Sequence, residues 1–146
     1  MAKGKDKRAR IPIEPRVEKR PVVGSDPDND PIAWRIGQAD LSGPWAWAAI
    51  SGADAAAVHA KLAEIEKLKW GEACSGGTPV AGKRMDGAAP EAHKRHREVF
   101  GSDPDVMYAI RLSGKKRVWG IREGRLFSLI WWDPEHTVWP SDKKHT

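Results

Sequence analysis

The fold of this chain is decided by residues 106–140, VMYAIRLSGKKRVWGIREGRLFSLIWWDPEHTVWP. Apolar and polar residues alternate along residues 106–112 with the period of two that is typical of a half-buried β-strand. The Ser-Gly-Lys-Lys sequence at 113–116 predicts a turn, residues 117–122 then run back, and a Glu-Gly pair turns the chain again into residues 125–132. The stretch therefore predicts a three-stranded antiparallel meander.

The meander carries an unusual number of positive charges. Between Arg111 and Arg125 the chain has six Lys or Arg residues against one acid, Glu123. Arg111 lies on the face of its strand opposite to the more apolar one, because side chains alternate along a strand. Such a cluster indicates a surface for a negatively charged ligand. The alternative is a set of solvated turns and strand edges, since turns are normally polar.

The region before the meander predicts one more strand and two helices. Residues 32–40 alternate in character and predict the first strand. A Ser-x-x-Asp pattern at 51–54 indicates a helix N-terminus, and apolar residues at helical spacing predict a helix over about 53–70. Four glycines within residues 71–82 predict a loop. Proline at a first-turn position and a terminal glycine then delimit a second, shorter helix over 90–101.

Composition bounds the kind of protein. A chain of 146 residues with 40% hydrophobic residues has the size of one domain with a modest core. The only cysteine, Cys74, excludes an intrachain disulfide and a cysteine-rich zinc site, which suits a reducing cytosol. The sequence shows neither a secretory signal nor an apolar run of membrane-spanning length. We therefore predict a soluble, cytoplasmic protein that does not enter a membrane.

The excess positive charge is confined to the N-terminal tail. Residues 1–20 hold eight Lys or Arg and three acids, whereas acids and bases balance in the rest of the chain. Several prolines and an acidic stretch at 26–30 accompany this charge, so residues 1–30 are predicted to be a disordered tail and residues 31–146 a single domain. A basic arm can bind phosphate groups or simply increase solubility, and both interpretations stay open.

Histidines supply the candidates for proton transfer. His136 follows an Asp-Pro pair that predicts a turn after the last strand, and a histidine there can exchange protons near neutral pH. Its alternative role is to hydrogen-bond that turn. His93 and His96 lie three residues apart on the second predicted helix, but a zinc site is not favoured because no HExxH pattern or cysteine accompanies them. No metal site is predicted.

The element order and the meander together resemble the RelE/ParE superfamily of small bacterial toxins. The matching residues are Tyr-x-Ile-Arg-Leu at 108–112, the Ser-Gly turn, the basic pair and Arg-Val-Trp at 117–119. The resemblance covers about residues 32–133, with motif-like matches only within 106–132. It implies a β-α-α-β-β-β topology, an α+β fold in which two N-terminal helices pack on an antiparallel sheet.

The resemblance also implies an activity, that of an endoribonuclease that cleaves messenger RNA without a metal or cofactor, in many members on the ribosome, and that is held by an antitoxin protein. The 2′-hydroxyl of the RNA attacks the adjacent phosphate, and positive groups stabilise the transition state. By the family pattern Arg111 would lie over the phosphate and Arg117 would follow the glycine turn. His136 stands near the position of a further basic or general-acid residue. These three residues are the predicted catalytic set.

A second set of residues is predicted to hold the nucleic acid. Trp131 and Trp132 point to opposite faces of the last strand, so one is expected in the core while Trp132 could stack on a base, and core packing of both is the alternative. The predicted binding set consists of Lys115, Lys116, Arg122, Arg125 and Trp132.

A second function stays open beside the nuclease. Met107 and Ala109 stand where family nucleases often carry a further lysine, and Asp133 to His136 replace the usual C-terminal segment. The alternative is a non-enzymatic protein of a phage or mobile element that uses the same surface and the basic arm to hold nucleic acid or an acidic protein. It predicts salt-sensitive binding without turnover.

Overall fold

Residues 27–75 and 78–140 are described by a computed structural model, and they form an α+β fold, as predicted. One five-stranded sheet carries helices on both faces. The strands are β1 (Ala33–Arg35), β2 (Val80–Arg84), β3 (Val106–Arg111), β4 (Arg117–Glu123) and β5 (Leu126–Asp133). The α-helices are α1 (Gly52–Ile65), α2 (Trp70–Ala73) and α3 (Pro90–Phe100), and 3-10 turns span Pro27–Asn29, Trp47–Ala49 and Met85–Gly87.

The predicted antiparallel meander is confirmed as β3, β4 and β5. The strands lie in the sheet in the order β1-β5-β4-β3-β2, and both turns of the meander place a glycine at positive φ, Gly114 at 57° and Gly124 at 64°. β1, however, runs parallel to β5, so the sheet is mixed and not purely antiparallel. These two strands lie far apart in the chain, and no tight turn forces them to run in opposite directions.

The element order also differs from the predicted β-α-α-β-β-β. β2 occupies part of the segment that was expected to be a loop. It lies between α2 and α3, so a strand separates helices that were predicted to follow one another. β2 is an edge strand that buries only Val80, so its sequence lacks a clear alternating pattern. Its Gly82 lies against the ring of Tyr108 on β3, where a side chain would crowd the ring.

The first face of the sheet is covered by α1 and α2. Ser51 accepts a hydrogen bond from the backbone N–H of Asp54 (3.0 Å), which confirms the predicted helix start. α1 ends at Ile65, earlier than expected, because α2 begins anew at Trp70 with its own cap, in which Glu72 accepts from the N–H of Lys69 (2.9 Å). The first core contains Ile32, Val58, Ile65, Trp70, Ala73, Val80, Ile110, Val118, Phe127, Leu129 and Trp132.

The second face of the sheet is covered by α3 and by the segment 133–139. α3 begins with Pro90 and ends before Gly101 (φ 86°), as the sequence predicted. Because both faces are covered, β5 is buried over almost its whole length, which explains its continuous apolar sequence. The second core contains Trp45, Met85, Ala92, Met107, Ala109, Trp119, Ile130, Trp131 and Val138.

The remaining sequence predictions are met in part. The first strand was expected over 32–40 but spans only Ala33–Arg35. Residues 1–26 of the predicted tail lie outside the described residues, while Pro27–Asn29 forms a 3-10 turn that Arg122 contacts through Asp28 (2.6 Å). Within residues 27–75 and 78–140, no helix combines the length and apolar character that crossing a bilayer requires.

Candidate functional site

Two arginines face each other where the first turn of the meander begins and ends. Arg111 is the last residue of β3 and Arg117 the first residue of β4, and they are directly paired across the two strands. Both therefore lie on the second face, in line with Ala109 and Trp119 two pairs further along. The Arg117 guanidinium donates to the carbonyls of Gly114 (2.7 Å) and Lys116 (3.0 Å), so it is fixed against the turn.

The electrostatics of this pair favour an anion. Burial, followed by the neighbouring charge of Arg111, lowers the pKa of Arg117 below its usual value. Asp133, the residue paired with Arg117 on β5, acts in the opposite direction. Within the described part of the chain, neither guanidinium has a carboxylate within ion-pairing distance. An incoming phosphate oxygen would meet two guanidinium groups whose charges are not already paired.

Asp133 organises the segment that follows β5. Its fully buried carboxylate accepts from the indole N–H of Trp119 (3.0 Å), the backbone N–H and hydroxyl of Thr137 (2.9 and 3.3 Å) and the backbone N–H of Val138 (3.0 Å). These bonds fold residues 133–138 back over the second face. His136 lies in this loop with a φ of 63°, the left-handed region, so its position is imposed by the loop.

These elements enclose a pocket of about 220 Å³ on the second face. Its floor is apolar and includes Ala109 and Trp119. Its walls carry four basic side chains and no carboxylate, and we call it the cationic pocket, lined by Thr78, Pro79, Ala81, Lys83, Ala109, Arg111, Arg117, Trp119 and His136. The imidazole Nδ1 of His136 is buried, and no hydrogen-bond partner for it occurs among the described residues. Such an arrangement suits a tetrahedral or planar anion.

The structure brings all three predicted catalytic residues into this one pocket. Arg111, Arg117 and His136 come from β3, β4 and the loop after β5, and each lines its wall. Sequence reasoning missed Lys83, which lies on β2 opposite Met107 and so shares the face of Arg111. Because residues 71–82 were predicted to form a loop, the strand that positions this lysine was not recognised. The one signal in the sequence was the spacing of Lys83 from Val80, which puts the two side chains on opposite faces of a strand.

The predicted binding residues do not form one surface. Lys115 and Lys116 lie in the turn beside the cationic pocket, where they pair with Glu135 (3.8 Å) and Asp54 (2.8 Å). Arg122 and Arg125 lie near the other turn of the meander, at the opposite end of β4. There Arg122 lies over the Trp70 ring at 4.5 Å, and Arg125 donates to the Pro31 carbonyl at 3.1 Å.

Trp132 needs a correction. It belongs to the predicted binding set as a residue that could stack on a base, but it is only 3% exposed and lies in the first core, where its ring packs near Trp47. Trp131 is buried in the second core on the other side of β5. The two rings do lie on opposite faces, as the alternation predicted, and both serve packing because β5 is covered on both sides.

The histidine pair of α3 is engaged in structural contacts. Nδ1 of His93 lies 2.8 Å from the Asp103 carboxylate, which also accepts from Arg97 at 2.8 Å. His96 is buried and its Nδ1 donates to the Ser102 carbonyl. Among the described residues, no three His, Cys, Asp or Glu side chains are grouped so that they could hold a metal ion.

Comparisons of the whole chain with models of protein families, with curated proteins and with solved structures give no match. The likeness to the RelE/ParE superfamily therefore rests on the residues of the meander and stays a prediction.

Proposed function

We propose that the cationic pocket binds a phosphodiester group of RNA and that the protein is a RelE-like, metal-independent endoribonuclease acting on messenger RNA. The observation that carries this proposal is the convergence of Lys83, Arg111, Arg117 and His136 on one small pocket without a carboxylate. Charged hydrogen-bond donors that already point at a site before the ligand arrives are the main means by which proteins stabilise phosphate transition states.

The reaction needs charge stabilisation, a proton acceptor and a proton donor; the two arginines supply the first, and His136 serves in turn as acceptor and donor. The 2′-oxygen forms a bond to phosphorus while the bond from phosphorus to the 5′-oxygen of the next nucleotide breaks, which leaves a 2′,3′-cyclic phosphate and a free 5′-hydroxyl. The guanidinium groups of Arg111 and Arg117 stabilise the charge on the phosphate oxygens. The His136 imidazole takes the proton from the 2′-hydroxyl and returns it to the departing 5′-oxygen, so protons balance.

The location of His136 supports this role. A buried polar atom without a partner costs about 1–3 kcal/mol, and among the described residues the Nδ1 of His136 shares this state with the Nε2 of His96 and three other side-chain atoms, but it alone of the five belongs to a residue that lines the cationic pocket. The loop of His136 places it in the left-handed region, which residues other than glycine adopt uncommonly. A ligand group that hydrogen-bonds to this nitrogen would remove the cost, which favours a role in binding or proton transfer over a role in the turn.

Non-enzymatic binding of nucleic acid is the second candidate. Within the described part of the pocket wall, His136 is the one side chain of a type that commonly acts as a general acid or base, since the others are arginine, lysine, threonine and apolar residues. A nuclease that uses two separate groups as acid and base would require another. A pocket that only holds phosphate needs no such group, and then binding would be salt-dependent and without turnover.

Cleavage of a labelled single-stranded RNA by the purified chain tests the proposal. We expect product ending in a 2′,3′-cyclic phosphate, with EDTA leaving the rate unchanged. His136→Ala should lower the rate by about two to four orders of magnitude with little change in affinity. Arg117→Ala should lower both the rate, by roughly 10²–10³, and the affinity. Arg125→Ala is the matched control, since it removes the same charge at the distant turn.

Three outcomes decide between the candidates. Cleavage that depends on His136 and Arg117 supports the nuclease. Binding that depends on Arg117, without cleavage in any condition, supports the non-enzymatic protein. Binding and cleavage that are equal in Arg117→Ala and Arg125→Ala would refute both. If the protein is the nuclease, its expression in bacteria should arrest growth through a cytoplasmic target. An antitoxin protein should relieve the arrest.

A further inference from the structure

Two larger depressions lie on the other side of the sheet, and one of them shares lining residues with the cationic pocket. A cleft of about 430 Å³ shares Pro79 and Arg111 with the pocket and extends to Leu68. We call it the connecting cleft. It shares Lys61, Glu64 and Leu112 with a groove of about 680 Å³ that runs between α1 and the turn at 112–116. We call this the helix groove.

These depressions lie on opposite faces of the sheet. The helix groove is bordered by α1 and by Leu112, which pack on the first core. The cationic pocket has Ala109 and Trp119 of the second core in its wall. The path from one to the other therefore passes around the end of β3, where Arg111 and Leu112 are neighbours with side chains on opposite faces.

The charges along this path favour an anion throughout. The groove and cleft contain two acids, and each is already paired with a lysine: Asp54 with Lys116 at 2.8 Å, and Glu64 with Lys61 at 3.4 Å. The basic residues of the path that form no ion pair within the described part of the chain are Lys67, Lys83, Arg111 and Arg117. They lie in the helix groove, at the end of β3 and in the cationic pocket.

The sequence of α1 explains why the groove is open. Ala57, Ala60 and Ala63 line it beside Lys61 and Glu64, so three of the helix side chains at its wall are short. The alanines keep the helix stable without occupying the groove, because alanine has the highest helix propensity. The result is an apolar strip of alanines beside lysines, which suits the charged backbone of a nucleic acid.

We infer that a single strand of RNA follows this path, with one phosphate in the cationic pocket and its flanking nucleotides around the end of β3 and in the helix groove. The inference rests on the proposed function, because it takes the cationic pocket as a phosphodiester site. A duplex follows the path poorly, since a double helix is stiff, with a persistence length of about 150 base pairs for DNA, whereas the path turns around the end of one strand. We call the path through the helix groove, the connecting cleft and the cationic pocket the track. It selects flexible, unpaired RNA.

The test measures affinity for two non-cleavable 2′-O-methyl RNA probes, a dinucleotide that can fill only the cationic pocket and a single strand of roughly twelve nucleotides, within the site sizes of single-strand binding folds. Lys67→Glu changes the helix groove alone. Lys94→Glu, at an exposed residue of α3 outside the track walls, is the matched control. Arg117→Ala reports on the pocket itself.

We expect Lys67→Glu to weaken binding of the long probe by about threefold to tenfold, and to reduce its log–log salt slope by roughly 0.7 for each phosphate that the variant no longer neutralises. Affinity for the dinucleotide should stay unchanged, and Lys94→Glu should alter neither probe. A duplex of equal length should compete no better than the dinucleotide does.

Two results would overturn the track while leaving the pocket intact. One is an equal effect of Lys67→Glu and Lys94→Glu on the long probe, and the other is a duplex that competes as well as the single strand. If Arg117→Ala leaves the affinity for both probes unchanged, the pocket assignment fails and the track fails with it. Circular dichroism of each variant separates a binding defect from a folding defect.

Discussion

Arg111 and Arg117 are paired residues on neighbouring antiparallel strands, so two positive charges face each other in the wall of one pocket. Like charges placed directly opposite in a sheet are destabilising by up to about 1 kcal/mol. An acidic residue at either position would remove the repulsion, yet both positions hold arginine. Functional sites are where proteins keep such local costs, and a bound anion would offset this one.

The first prediction concerns this arginine pair. Arg111→Gln should raise the free energy of unfolding at low salt by about 0.5 kcal/mol, because it removes the repulsion, and should also weaken the stabilisation by inorganic phosphate. Urea unfolding with and without phosphate measures both effects. Arg125→Gln, which changes the same charge at the other turn, should keep the full response to phosphate. An equal phosphate response in wild type and Arg111→Gln would contradict the site.

The second prediction concerns Asp133, which holds the loop that carries His136. Asp133→Ala should lower the free energy of unfolding by about 3 kcal/mol or more, because Trp119, Thr137 and Val138 would lose the acceptor of their buried N–H groups. Asp133→Asn retains one acceptor oxygen and should fall between alanine and wild type. Chemical denaturation gives the values.

The control for Asp133 is its exposed neighbour in the same loop. Glu135 makes only a weak surface contact with Lys115 (3.8 Å), so Glu135→Ala should stay within about 0.5 kcal/mol of wild type. If Asp133→Ala and Glu135→Ala were equally mild, the buried carboxylate could not be what folds residues 133–138 over the sheet.

The third prediction concerns Gly120 on β4. The pairing of β4 with β5 is irregular between Trp119 and Gly120, and a Cβ on Gly120 would clash with the Phe127 ring and the Ser128 carbonyl. Gly120→Ala should therefore lower the free energy of unfolding by about 2–3 kcal/mol, the range of an overpacked core. Gly37→Ala, where no atom lies within 4 Å of the new Cβ, should change it by less than about 1 kcal/mol. Melting temperatures of the two variants provide the comparison. A loss of stability in Gly120→Ala no larger than that in Gly37→Ala would contradict the close approach of Phe127 and Ser128 to Gly120.

The fourth prediction concerns pH. Burial lowers the pKa of His96, and the Ser102 carbonyl and the charge of Asp103 only partly offset this. Between its folded pKa and its unfolded value near 6.5, only the unfolded chain takes up the proton, so the free energy of unfolding falls as pH falls through that window. Below the folded pKa the loss from this group is complete.

His96→Gln tests this pH dependence because glutamine does not titrate. The wild type should lose stability as the pH falls below about 6.5, with a contribution from His96 of at most about 1.4 kcal/mol per pH unit, and the variant should show a shallower slope. Urea unfolding at several pH values measures it. Parallel slopes in the two proteins would show that His96 takes up its proton equally in both states.

Several features of the fold could be predicted from the sequence because their causes are local. The strands of the meander follow from alternation and from two glycine turns, and α3 follows from Pro90 and Gly101. The strand β2 could not be predicted in this way, since an edge strand with a glycine and exposed lysine and arginine side chains lacks the pattern that burial imposes. The same lack of pattern hid Lys83.

The sequence by itself determined the α+β class, the meander and the identity of three basic residues now found in one pocket, because periodicity, turn chemistry and charge are properties of short segments. Only the tertiary structure decided that β1 lies parallel to β5, that Trp132 is buried and that Arg122 and Arg125 lie far from Arg117. Such features depend on which face of the sheet each helix covers and on how distant strands pair. Those choices are made by the packing of two cores, and no short segment contains them.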